Sequence, residues 1–152
     1  MDKLDFLTIE FPKLVATLQP DAKGAWGVMN AQQMIEHMSD SLRVANGKIV
    51  QPLHTYTLQV KAYKNFAMSD KEFKPNTKNA LLPDTAAALR NDTFEIAVKE
   101  LENEITAFVE YYTLQNGAST LNPFFGELNY EEWIHLLHKH ALHHCKQFGL
   151  IK

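Results

Sequence analysis

Phe94, Val98, Leu101, Ile105, Phe108 and Tyr112 follow one another at spacings of four, three, four, three and four residues. An α-helix returns to one face at these intervals, so the six side chains make a single apolar seam. A seam of this length, free of proline, predicts a helix packed lengthwise against other helices. Asp92 reads as its N-cap, with Glu95 three residues on, and Asn116-Gly117 reads as its stop. Glu95, Glu100, Glu102 and Glu104 lie off the seam and are expected to form a solvated face.

Three more segments carry helical signals. From about Asp5 to Leu18, an apolar face runs through Phe6, Leu7, Ile9, Phe11, Leu14, Val15 and Leu18, and Pro12 either kinks this helix or marks its true start. The stretch NAQQMIEHMSDSLRVANGK opens on Asn30 with Gln33 three residues later, a capping-box pattern, and turns Met34, Met38, Leu42 and Ala45 inward. EEWIHLLHKHALHHCKQFG follows an Asn129 cap completed by Glu132 and stops at Gly149. Between the second and third segments, residues 50–83 hold three prolines and read as a long irregular connection, with a short helix near Leu58–Phe66 preferred over short strands around Tyr56–Val60. The expected fold is all-α, a four-helix bundle in one domain spanning 1–152.

Charge and composition narrow the partners. Fifteen basic against 18 acidic side chains give a net charge of −3, and no basic stripe runs along any helix. A nucleic-acid partner is therefore not expected. No apolar run nears the roughly 18 residues of a membrane span. The start, MDKLDFLTIEF, is a poor signal peptide, and the lone Cys145 excludes an internal disulfide, so a cytoplasmic location is expected.

The last segment holds five of the seven histidines. On a wheel with Trp133 at zero, His144 falls at about 20° and His140 at about 340°, inside the apolar arc. His138 and His143 flank that arc, and His135 lies opposite it with Lys139 and Lys146. Two neutral imidazoles one turn apart on a buried face are costly unless their nitrogens find partners. A shared metal ion satisfies both, as would water and backbone groups. A third ligand would come from His37, at the edge of the apolar arc of its helix, from His54, or from a carboxylate. The H-E-x-x-H of zincin proteases is missing, since Ala141, Leu142 and His143 stand between the two rings.

AWGVMNAQQMIEHM, NPFFGELNYEEW and KHALHHCKQFG resemble a subfamily of the DinB/YfiT-like superfamily, over the second and fourth helices and their lead-ins. The resemblance implies an up-down-down-up bundle and a divalent metal held by three histidines, which map to His37, His140 and His144. Zinc or nickel is the implied metal, with iron or manganese as alternatives, and a low-molecular-weight thiol is the implied partner of a transferase; hydrolysis is the variant. A non-catalytic metal-binding or stress-associated bundle acting through dimerisation is the other expectation. Gln147 and His143 stand beside the site as candidates to orient a bound group. Relatives often carry histidine before the turn proline where this chain has Asn122.

Overall fold

The structure, a computed structural model, describes residues 1–77, 79, 81 and 85–152. The 50–83 connection therefore lies partly outside the described residues. Among the described residues the chain is mostly helical, with five helices and one two-stranded antiparallel hairpin.

Helix α1 covers residues 3–16, two residues earlier at each end than its apolar pattern predicts. Asp2 sets the start by accepting a hydrogen bond from the Asp5 N–H at 2.8 Å. Phe6–Glu10 forms a π-helical turn in which the Phe11 N–H reaches back to the Phe6 carbonyl. Pro12 has no N–H to offer the preceding turn, and the wider turn absorbs that loss without breaking the helix.

Helix α2, Ala31–Ala45, opens on a full capping box between Asn30 and Gln33 and ends at Asn46, with Gly47 at φ 78°. The 3-10 turn Thr57–Gln59 leads into helix α3, Val60–Met68, so this part of the connection is a short helix and not a pair of strands.

Helix α4, Phe94–Leu114, is capped by Thr93 rather than Asp92. Thr93 has the extended backbone of a cap, and its hydroxyl accepts from the Ile96 N–H at 3.2 Å; Asp92 sits one residue too early to do so. The expected acidic face needs a further correction. Glu95 and Glu102 are exposed, but Glu104 is buried and Glu100 half-buried. Lys48 reaches Glu104 at 3.0 Å and Arg43 at 3.4 Å, while Arg90 binds Glu100. Basic groups from α2 and its flanking loops cover this side of α4, which the sequence of one helix cannot show.

The hairpin, β1 Ser119–Asn122 and β2 Gly126–Asn129, was not expected. Asn122 makes its turn: its side-chain oxygen accepts from the N–H groups of Phe124 at 2.8 Å and Phe125 at 3.1 Å. This asparagine is thus occupied with local structure. Helix α5, Tyr130–Gln147, follows at once from its Asn129–Glu132 capping box.

One polar knot registers these elements inside the apolar core. The Ala45 carbonyl, at the end of α2, accepts from the Tyr112 hydroxyl and from the Thr120 hydroxyl, both at 2.7 Å. Thr120 in turn accepts from the indole N–H of Trp133 at 2.8 Å. Trp133, only 2% exposed, is a core residue joining α5 to α2 through this knot. His37 lies eight residues before Ala45 and His140 seven after Trp133. At 1.5 Å per residue, both stand about two turns from the knot, on helices running in opposite directions.

The far side of α2 is held by Glu36, which is 5% exposed. Its carboxylate accepts from the Arg90 N–H at 2.7 Å, the Asn91 N–H at 3.0 Å and the Asn91 amide at 3.1 Å. Burial raises this carboxyl, but the Arg90 and Asn91 bonds outweigh it and hold the group below its ordinary value. Glu36→Gln is expected to cost about 2 kcal/mol, because an amide accepts less strongly and turns donors towards donors. For a chain this long that is a Tm loss of roughly 4–8 °C, read by thermal unfolding; an unchanged Tm would contradict the role given to Glu36.

Candidate metal centre

Helix α2 presents His37, and α5 presents His140 and His144, to one shared point. The Nε2 atoms of His37 and His140 are 3.0 Å apart, and those of His140 and His144 are 2.8 Å apart. All ligand atoms of the three lie within 4.8 Å of one another. The rings of His37 stand at 78° to His140 and 85° to His144, so they meet through nitrogen edges and do not stack. His144 is buried, while His37 and His140 keep partial exposure.

The hydrogen-bond pattern fixes one tautomer. The Trp26 carbonyl can only accept, so the amide nitrogen of Gln147 faces it, at 2.8 Å. The amide oxygen of Gln147 therefore points at Nδ1 of His144, at 2.7 Å, and that nitrogen must carry the proton. Nε2 of His144 is left as a bare lone pair. A neutral imidazole has one N–H, so His140 Nε2 cannot satisfy both neighbours along good lines. At most one of the two contacts is a well-aligned hydrogen bond.

Protonation does not relieve this conflict. Burial pushes His37 down to about 4, a shift to which His143 adds and which Asp40 opposes. Burial and the neighbouring His37 push His144 down to about 3, against the pull of Gln147. Burial and the surrounding histidines hold His140 well below its ordinary value. All three rings are neutral at pH 7, the state in which imidazole binds metal.

A cation at the meeting point resolves the clash. Tetrahedral zinc with nitrogen ligands at 2.0–2.1 Å spaces those nitrogens about 3.3 Å apart. The observed separations need a few tenths of an ångström of opening to match, which side-chain torsions supply. The three histidines could hold one metal ion by position and charge state.

The other candidates separate cleanly. Gln147, 3% exposed, anchors His144. His143 packs its ring 5.2 Å from that of His144 and lies beside Trp26 and Phe73. His54 packs on Phe124 at the hairpin turn and is not part of the cluster. His138 meets the edge of Phe6. Cys145 is fully buried and its thiol is pushed up to about 12 by burial, so it is a packing residue.

The wheel misplaced the opposite side of α5. Lys139 was expected outward, yet it is 7% exposed and donates to the carbonyls of Phe66 at 3.1 Å and Ser69 at 2.9 Å. His135 is bonded to Lys3 and to the Ser69 carbonyl. Helix α3 and the loop after it lie over this face, and a helical wheel contains no information about a neighbour from 70 residues away.

The 24–27 loop holds Gln147 in place. A Cβ on Gly24 would come within 2.7 Å of the Gln147 side chain, and one on Gly27, at φ 79°, within 2.8 Å of its amide nitrogen. The Ala25 N–H also donates to the Gln147 carbonyl at 2.8 Å. The paired glycines let the 24–27 loop close over Gln147, and their spacing around Trp26 was the available signal.

Comparisons of the chain with protein-family models, curated proteins and solved structures found no match. No helix among the described residues is long and apolar enough to cross a membrane.

The depressed histidines carry a pH signature. In the unfolded chain these rings bind protons near 6.5, whereas folded His37 and His144 do so near 4 and 3. Below 6.5 the unfolded state therefore holds more protons, and stability present above that pH is lost as pH falls towards the folded values. His138 and His143 shift the same way, chiefly through burial. Glu36, Glu100 and Glu132 lie below 4.5 and act in a lower window. The Tm of chelator-treated protein should thus fall steadily from about pH 7 to about pH 5, where these carboxylates contribute little. A flat Tm across that interval would contradict buried neutral rings.

Proposed function

We propose that the chain is a divalent-metal protein of the DinB/YfiT-like kind, a single domain built as an up-down-down-up four-helix bundle, with His37, His140 and His144 as ligands. The observation that carries this reading is the convergence of three imidazole nitrogens from two helices on one point, with the Nε2 lone pair of His144 fixed by the Gln147 bond. An all-nitrogen set of borderline softness favours zinc or nickel, ahead of iron or manganese. Three protein ligands leave a coordination position open, the arrangement of exchanging or catalytic sites.

Bound there, a divalent ion would stabilise a thiolate or hydroxide at its open position near neutral pH. The protein's own contribution is positional. Gln147 holds His144 by its Nδ1 proton, so that Nε2 faces inward. The Trp26 carbonyl holds Gln147. Burial keeps the rings unprotonated. A transferase using a low-molecular-weight thiol is the activity proposed, with metal-dependent hydrolysis as its variant.

Untagged protein should carry about one ion per chain by elemental analysis. His140→Ala should remove it. Stripping the ion should lower Tm by roughly 8–16 °C if metal is present at about a thousandfold its Kd, since that linkage is worth about 4 kcal/mol. In the cobalt-substituted protein, adding 2-mercaptoethanol should change the visible absorption bands. Stoichiometric metal with bands indifferent to thiol would favour the non-catalytic, dimerising reading, and absence of bound metal would end both.

A further inference from the structure

A second feature lies beside the histidine cluster. The loop after α3, together with α5 and the start of α1, encloses a cavity of about 210 Å³. That is below the usual range for drug-sized ligands, and it suits a small metabolite or one end of a larger one. Four lysines line it, Lys3, Lys71, Lys139 and Lys146, against two carboxylates, Asp70 and Glu72. The excess is positive in a chain whose net charge is −3. Lys146 is already paired with Glu72, at 2.7 and 2.8 Å.

Lys139 is the informative member. It is more than nine-tenths buried, with its ammonium 5.0 Å from the centre of the Phe66 ring and 5.7 Å from that of Phe73. Its partners are two neutral carbonyls, those of Phe66 and Ser69, and among the described residues no carboxylate pairs with it. Two carbonyls use two of its three N–H donors. A buried cation with a donor to spare, on the wall of a lysine-rich cavity, is provision for an anion.

We infer that this cavity is an oxyanion site, taking a small molecule that bears a carboxylate or phosphate held by Lys3, Lys71 and Lys139. Its wall adjoins the histidine cluster. His143 and Phe73 line the cavity, and their rings lie 5.2 Å from His144 and 6.4 Å from His140, respectively. A ligand anchored here stands one side chain away from the three imidazoles. The site does not depend on metal, so it can be tested separately from the proposed function.

The test is a calorimetric titration of the full chain with inorganic phosphate and, separately, with succinate, at low ionic strength in chloride buffer. Saturable binding of at least one is expected; phosphate alone would mark a phosphorylated ligand, and succinate alone a carboxylate. Lys3→Ala and Lys71→Ala, made separately, should each bind about tenfold more weakly, the loss expected for one charge-assisted bond. Lys139→Met, which keeps the apolar stem, should weaken binding similarly. His140→Ala should bind as wild type does. Three results would overturn the inference: no saturable binding of either anion, equal binding by the lysine variants, or loss of binding in His140→Ala, which would put the anion on the histidine cluster.

Discussion

Three imidazole nitrogens, one from α2 and two from α5, point at the same small volume with too few protons to share between them. Much of the architecture follows from making that convergence possible. A buried ring nitrogen left without a good partner costs about 1–3 kcal/mol. An arrangement this unfavourable persists only where surrounding packing over-determines it or where a cation completes it. Here the packing supplies the register. The Ala45–Thr120–Trp133 knot pins the end of α2 to the beginning of α5, two turns from the rings. The Gln147–Trp26 bond then fixes the other end of α5 and one ring's tautomer.

The outer layers serve the same geometry. Glu36 gathers the 90–91 backbone onto α2 one residue from His37, and Arg43 and Lys48 draw Glu104 of α4 against it. Helix α3 and its following loop are tied to α5 by Lys139 and His135. That tie roofs α5 beside the cluster and creates the lysine-rich cavity. The chain thus places a neutral, nitrogen-rich point and a cationic recess on either side of His143 and Phe73.

What could be read from the sequence was what is local to one helix. The α4 seam, the Asn30 and Asn129 capping boxes, and the inward turn of His140 and His144 all follow from spacing within a segment. His37 did not follow, because an edge position on a wheel is buried or open according to which helix comes beside it. The acidic residues Glu100 and Glu104, and the basic Lys139, were assigned to solvent for the same reason: each is covered by a segment distant in sequence. The hairpin went unread because its strands are four residues each and its turn is made by one side chain, Asn122. The glycines at 24 and 27 carried a signal, but it took the close approach of Gln147 to give it meaning.

The most direct measurement of the central claim is X-ray absorption at the metal edge of untagged, as-isolated protein. The account predicts a shell containing three imidazole nitrogens at about 2.0–2.1 Å, with the outer-shell pattern of histidine rings, and fewer than three imidazoles in His37→Ala. A shell of oxygen ligands alone, an imidazole count unchanged in His37→Ala, or protein without a metal edge would contradict it.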